Sequence, residues 1–396
     1  MTKKPKVLLI VGHFDWFSRY QETALATALS RYAEVLVLAG THVSPIFTPG
    51  HLDSIDHPSS YEPGLTIENQ VTILRVPTRQ VRAMVWSSKA IIAVERAEPD
   101  LIIQVMPGQL MPTAATLAKV EAPRLVLYGD NAAMYAALTP WQQKLKFAIF
   151  SATKGQLYRF VNSKATAIYG YTENTCSRLR HFSAGRPMSI LPLTYDEHLF
   201  YYSSAMRAAA RQELGFADRE LVIIAPGKLQ RQKRADLLLA AMDHPEMPPD
   251  VRLLIVGADS GEESRRIRQG AERLRHPDRV RILEFATSAR LNELFNASDL
   301  GVWPAMPAIT IQQAMGTGLP VAIPNNDYVR HLLRSRKSGT LLPTQPHAAD
   351  ILDAIAQVRK GVISRSARRA ANSWLGNDAV ARRLLADGIP HRNDAS

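Results

Sequence analysis

The sequence predicts an α/β protein built from two doubly wound, Rossmann-like domains. Three observations carry that expectation. At 396 residues the chain exceeds what one average hydrophobic core organises and suits two domains of ordinary size. Strand-sized apolar runs such as Val7-Leu8-Leu9-Ile10-Val11 alternate with helix-length segments almost throughout, as crossover connections between parallel strands require. The alternation starts afresh after a loop at 192–204. Ligands of such sheets bind beyond the carboxyl ends of the strands, and two such domains facing each other place the site in the cleft between them.

In chain order, strands are expected at 7–11, 34–38, 71–75, 101–105, 124–127, 165–169 and 188–191, with helices between them, for example at 20–32 and 109–119. Residues 41–65, with His, Ser and four prolines, read as a long surface loop of the kind that carries function. The second run places strands at 220–225, 252–256, 280–284, 300–303, 321–323 and 340–342. The domains are therefore 1–196 and 197–365, followed by a C-terminal segment 366–396 whose helix begins near 364 and whose last residues, HRNDAS, are expected to be disordered.

Bulk properties narrow the function. The hydrophobic fraction, 46%, is that of a globular protein, and no apolar run approaches the ~20 residues that cross a bilayer. The N-terminal MTKKPKVLLIVGHFDW lacks a small-residue cleavage site and runs straight into a strand, so it is read as a first strand and not as a signal peptide. A single cysteine, Cys176, excludes an internal disulfide and any cysteine metal cluster, which fits a cytoplasmic protein. The net charge of +12 calls for an acidic partner: nucleic acid, a phosphate-bearing substrate or an anionic membrane.

That charge is concentrated. Between Trp141 and Arg186 stand Lys144, Lys146, Lys154, Arg159, Lys164, Arg178, Arg180 and Arg186 against one acid, Glu173, interleaved with Trp141, Leu145, Phe147, Ile149, Phe150, Leu157, Tyr158 and Phe160. Such a tract suits a peripheral contact with an anionic membrane surface, at the inner face of the plasma membrane. Its plainer reading is a core helix with a solvated basic face. The sequence has no P-loop, no G-x-G-x-x-G after a strand and no G-x-S-x-G elbow, so nucleotide hydrolysis, dinucleotide redox chemistry and serine hydrolysis lose support. No known reading motif accompanies the basic residues, and nucleic acid is not expected as a partner.

Positive signals lie in the second half. Residues 299–325, DLGVWPAMPAITIQQAMGTGLPVAIPN, read as a buried strand ending at Trp303-Pro304, a loop, a helix with Thr310 in its first turn, a Gly316/Gly318/Pro320 stop and a further strand. A strand, loop and helix start aim free backbone N–H groups at an anion. Upstream, Val222-Ile223-Ile224-Ala225-Pro226-Gly227-Lys228-Leu229-Gln230-Arg231-Gln232-Lys233 joins a strand to a basic turn, and Val251–Gly257 and Val280–Ala286 follow in order.

These windows together resemble the donor half of GT-B-fold glycosyltransferases, in particular the retaining family 4 (glycosyl transferases group 1). Their relatives read G-R-x-x-x-x-K at 227–233 and P-S-hydroxyl-x-x-E-A-M-x-x-G-x-P-V near 304–321. The resemblance implies a GT-B fold and a nucleoside-diphosphate sugar as donor, with no metal and no bound cofactor. Lys228, in place of the usual Arg, and Lys233 would then hold the donor diphosphate, where a departing nucleotide develops negative charge. Gly227, Ile309 and the Thr310 and Ile311 amides would assist. Phe285 and Ala286 would lie against the base, and Gln313 would hold the ribose. Two positions depart from the pattern: where many relatives carry Glu-x7-Glu, this chain has Ala305 and Gln313. An amide can hydrogen-bond a hydroxyl but lacks the carboxylate's charge, and alanine offers no polar contact.

In the first domain the resemblance is looser. Gly12 and His13 end the first strand, where relatives place a loop facing donor and acceptor. Asp130 ends the strand near 124–127 and would address the acceptor hydroxyl, or else cap the following helix. The C-terminal helix would pack back across the first domain, as in similar chains. The expected function is transfer of a hexose-like sugar, with retention of configuration, to a glycan or lipid-linked acceptor in bacterial cell-surface polysaccharide, lipopolysaccharide or glycolipid synthesis. A non-catalytic sugar-nucleotide binder and a GT-B epimerase are the alternatives.

Overall fold

The computed structural model describes residues 4–18, 21–82, 84–129, 139–365 and 373–389. It divides into two compact units, Met1–Pro192 with Asn377–Ser396, and Leu193–Gly376.

In the first unit an eight-stranded sheet runs in the order β10-β9-β8-β7-β1-β2-β4-β3 among the described residues. Its strands are β1 (Lys6–Ile10), β2 (Glu34–Gly40), β3 (Gly64–Glu68), β4 (Val71–Val76), β7 (Leu101–Val105), β8 (Arg124–Tyr128), β9 (Ala167–Gly170) and β10 (Met188–Ile190). A separate hairpin pairs β5 (Arg79–Val81) with β6 (Met84–Trp86). Every neighbour in the large sheet is parallel except β3, which runs antiparallel to β4. The central strands are covered on both faces and read as near-continuous apolar runs, because no side of them meets water. Leu8, Ile10, Leu38 and Ile102 pack with Val94, Met111 and Ala115 in one core cluster. Strand order reverses on either side of β1, so the carboxyl ends of β1 and β7 flank the switch point.

Two local expectations are corrected here. The region expected to be loop through 65 contains a short helix, Pro49–Ser54, and the start of β3. All five residues of β3 are exposed, so it lacks the buried alternation by which a strand is recognised. The helix expected at 109–119 is only Met111–Ala115, entered through a 3-10 turn, Pro107–Gln109, and a left-handed Leu110. Pro112 suits only the first turn of a helix, which sets where this one begins.

The C-terminal helix is Asn377–Gly388; residues 366–372 and the tail after 389 lie outside the described residues. It packs on the helix Gln21–Ser30, and Arg31 pairs with Asp378 at 2.5 Å. Asp387 accepts from the Tyr169 hydroxyl, and Gly388 sits tight against Leu101.

The second unit holds a six-stranded parallel sheet, β13-β12-β11-β14-β15-β16, formed by β11 (Leu221–Pro226), β12 (Val251–Ala258), β13 (Val280–Glu284), β14 (Leu300–Val302), β15 (Val321–Pro324) and β16 (Gly339–Leu342). Alternate residues of β11 feed two cores. Leu221 and Ile223 pack with Leu238, Leu253 and Ile351, and Val222 and Ile224 pack with Leu254, Phe295 and Met315. Arg207 and Arg211 both reach Asp299, whose carboxylate also accepts the Val222 amide at 2.9 Å, tying the helix Ser204–Glu213 to the sheet. The result is two Rossmann-like sheets. Among the described residues no helix is long and apolar enough to cross a membrane.

Candidate functional site

The second unit gathers most of the expected site. Because β13, β12, β11 and β14 are sheet neighbours, the segments after their carboxyl ends share one edge of the sheet. Those segments carry Phe285, Asp259, Lys228 with Lys233, and Thr310 respectively.

After β11 the chain turns sharply at Gly227, whose φ of 127° disfavours any side chain, and the Gly227 amide donates to Val256 O at 2.8 Å. A Cβ on Gly227 would lie 2.8 Å from Lys233 Nζ, so the ammonium is folded directly over this turn. The 3-10 turn Arg231–Lys233 and a left-handed Arg234 (φ 57°) deliver it there before the helix Ala235–Met242 begins. Gly257 (φ 111°) closes the other side; a Cβ there would meet Gly227 O at 2.6 Å. Lys233 is half-buried, and burial lowers its pKa from the ordinary lysine value. Among the described residues no carboxylate or carbonyl bonds its ammonium. A partly desolvated cation with no counter-charge is unfavourable as it stands and is prepared for an anion. Lys228 is exposed, and its charge helps hold the Asp259 carboxyl below the usual range, after hydrogen bonds from Ser264 (2.7 Å) and the Gly261 amide (2.9 Å).

Beside these loops lies an open depression of about 630 Å³ lined by Ala258, Asp259, Ser260, Arg265, Arg268, Glu284 and Phe285. Phe285 is 68% exposed at the end of the edge strand β13, a large apolar ring left in water, whereas Ala286 packs on the core.

After β14 the loop to the helix Thr310–Gly316 is organised by Trp303. Its ring is buried (3% exposed), and its indole N–H donates to Thr310 Oγ1 at 3.0 Å. Gly301 makes room for that ring, since a Cβ there would stand 2.5 Å from it. The sequence reading missed this anchor, although a buried indole requires an acceptor and Thr310 is the first hydroxyl downstream. It also needs one correction. The Ile311 amide, expected to face phosphate, donates to Ala308 O at 3.1 Å, while the Ile309 and Thr310 amides have no acceptor among the described residues. Ala305 and Gln313 are half-buried, and the Gln313 side chain makes no hydrogen bond there.

The first unit presents a different arrangement after β1. The Gly12 amide is already taken by Gln109 Oε1 at 2.8 Å, and a Cβ on Gly12 would overlap that atom. His13 is buried, its Nδ1 lies 3.4 Å from Gln109 Nε2, and burial lowers its pKa against the opposing pull of Asp15. Asp15, also buried, accepts from the Tyr61 hydroxyl (3.0 Å) and the Ser44 amide (3.1 Å); burial nonetheless raises its pKa. Arg75 lies over the Tyr61 ring at 3.5 Å and donates to Phe14 O (2.7 Å) and Gly40 O (3.1 Å). This network pins the 41–61 loop to the end of β1, and nothing in the sequence spacing announced it. Asp130, the expected acceptor-side carboxylate, lies outside the described residues.

The second unit thus brings a cation-rich loop and a helix start to one edge of a Rossmann-like parallel sheet. Residues 206–372, within the second unit, match the family model "Glycosyl transferases group 1". A D-inositol 3-phosphate glycosyltransferase of Mycobacteroides abscessus is 34% identical over 179 residues, 42% of this chain and 40% of that relative. The match thus spans less than half the length of that relative. Anabaena Alr3699/HepE, solved in complex with UDP, superposes with a TM-score of 0.66 at 20% identity over 96% of this chain and 98% of that one. WaaG, a glycosyltransferase involved in lipopolysaccharide biosynthesis, superposes at a TM-score of 0.53 and 16% identity over 97% and 100%. At those identities the two structures establish the fold.

Proposed function

We propose that this chain is a metal-independent glycosyltransferase that moves a hexose from a nucleoside-diphosphate sugar to an acceptor hydroxyl, with retention of configuration. The observation that carries this reading is the uncompensated Lys233 ammonium over the Gly227 turn. A diphosphate supplies the charge it lacks, and fixed cations gain most as the leaving group becomes more negative. Lys228 joins it as a point charge, and the Ile309 and Thr310 amides face the same group. The base lies in the depression beside Phe285 and Ala286, Gln313 holds the ribose, and Gly12, His13 and Asp130 serve the donor sugar and the acceptor. The acceptor is a glycan or a lipid-linked glycan of the cell surface, worked on from the cytoplasm at the inner membrane face.

A panel of nucleoside-diphosphate sugars, screened by thermal shift, tests the donor. A true donor at a hundredfold excess over Kd stabilises by about 2.7 kcal/mol. Absence of any shift across the panel, with Lys233→Ala indistinguishable from wild type, sinks the reading. Anomeric analysis of the product decides retention.

Ala305 and Gln313 favour a second reading, a sugar-nucleotide-binding partner of an active transferase, because both acids of the family's pattern are missing. It predicts nucleotide binding without turnover, and no gain of turnover in Gln313→Glu.

A further inference from the structure

One cavity of the first unit has no part in donor chemistry. It opens beyond the carboxyl ends of β7 and β8, next to the switch point, where open sheets of this kind take ligands. Its volume is about 70 Å³, and its walls are mainly aromatic: Tyr128, Phe147, Phe150 and Tyr158, with Met106 as a further apolar wall. These rings form one packed set, Tyr128 to Tyr158 at 4.8 Å and Phe150 to Tyr158 at 5.5 Å. The Tyr128 hydroxyl is spent on Asn162 at 2.8 Å, away from any ligand. Among the described residues the polar side chains of the lining, besides the two tyrosines, are Asn174, Thr175 and the half-buried Arg178. Left-handed Met106 (φ 53°) and the bare Gly129, whose amide lies 3.2 Å from Met106 Sδ, hold that wall; a Cβ on Gly129 would strike Met106.

The helices that build this cavity, Pro140–Ala152 and Lys154–Ser163, turn a second apolar face to solvent. The first of them buries no residue. Phe147 and Phe150 point inward, while Trp141, Leu145 and Ile149, one helical stripe, are 67%, 50% and 58% exposed. Leu157 and Phe160 continue the exposure on the second helix. Lys144, Arg159 and Lys164 are exposed among them, and the tract 141–186 holds eight basic residues against Glu173. A stripe of large apolar side chains bordered by cations complements an anionic lipid surface: the apolar groups enter the acyl boundary and the lysines stay at the headgroups.

We propose that the cavity is a lipid site. It takes the first stretch of an alkyl or polyprenyl chain whose phosphate lies on Arg178, and the exposed face of the two helices seats the chain on the anionic bilayer that supplies that lipid. A sugar is the poorer occupant, because it would need polar groups all round where the described lining is chiefly aromatic. The inference rests on the transferase reading only where it makes this lipid the acceptor; the binding itself is independent of the donor.

The test measures binding of monomeric dodecyl phosphate to the full chain, with dodecanol and inorganic phosphate as the separate halves of the probe. Dodecyl phosphate is expected to bind, about tenfold more weakly in Arg178→Gln, whereas dodecanol binding is unchanged by that substitution and inorganic phosphate does not compete. Asn174→Trp, which fills the mouth, is expected to abolish both alkyl ligands. In flotation with vesicles of phosphatidylglycerol and phosphatidylcholine, the wild type is expected to float and the L145D/I149D double variant to remain in solution, both with unchanged nucleotide binding and melting temperature. Dodecyl phosphate binding that survives Asn174→Trp, competition by inorganic phosphate at equal concentration, or failure of the wild type to float overturns the proposal. A protein that binds nucleotide sugars yet fails these tests loses the lipid site and keeps the donor reading; the converse result does the opposite.

Discussion

The loops after β1 and after β11 occupy the same topological position, each leaving the strand beside which its sheet changes direction, yet they differ in charge balance. After β1, Asp15, Tyr61 and Arg75 satisfy one another inside the unit, and Gln109 closes the Gly12 amide. After β11, Lys233 is half-desolvated with no counter-charge opposite it among the described residues. The carboxylate of the first loop is met within the unit, while His13 Nε2 and Trp16 Nε1 are buried there without a hydrogen-bond partner among the described residues; the cation of the second is electrostatically incomplete. Shared topology therefore says where a ligand can approach, and local charge balance says which loop is waiting for one.

The sharpest way to break this contrast is Asp15→Ala. It strands the half-buried Tyr61 hydroxyl and Ser44 amide and removes the charge that faces Arg75, so thermal denaturation should show a loss of about 3 kcal/mol. Nucleotide binding at temperatures where the variant stays folded should not change. If the loss is below 1 kcal/mol, the network is not the fastener described.

Lys233→Ala should invert that pattern. Nucleoside-diphosphate affinity should fall about 10- to 100-fold, the worth of one or two charge-assisted hydrogen bonds, while the melting temperature without ligand holds or rises. A destabilised variant with intact affinity would mean that Lys233 is a structural cation. Gly227→Ala should follow with a stability cost of about 1–2 kcal/mol, because φ of 127° excludes a side chain, and with weakened nucleotide binding through the displaced ammonium.

The smallest and most diagnostic effect is on pH dependence. Burial lowers the Lys233 pKa, so the folded chain releases this proton at lower pH than the unfolded chain. The unfolded state then holds more protons between the lowered and the ordinary value, and stability from this group rises with pH across that window. Nucleotide affinity runs the other way. It is full while the ammonium is charged and declines as pH rises through the lowered pKa, which titration calorimetry on the alkaline side should record. Lys233→Arg, which stays charged, should flatten that decline.

Much of this was readable in the chain. Runs such as Val222-Ile223-Ile224 announce buried parallel strands because both faces of such a strand are covered, and the periodic signal is local. Gly227 and Lys233 lie within one short stretch of sequence, so their proximity was legible without knowledge of the fold. The edge strand β3 was invisible because none of its side chains is buried. Contacts that join distant segments were equally hidden: Gln109 on Gly12, Tyr61 and Arg75 around Asp15, the Ile311 amide turned back to Ala308, and the aromatic cavity behind 140–163. Composition and spacing determined the two-sheet architecture and the cations that follow β11. Only tertiary packing decided which of those charges is neutralised, because desolvation and pairing depend on neighbours that the linear order does not specify.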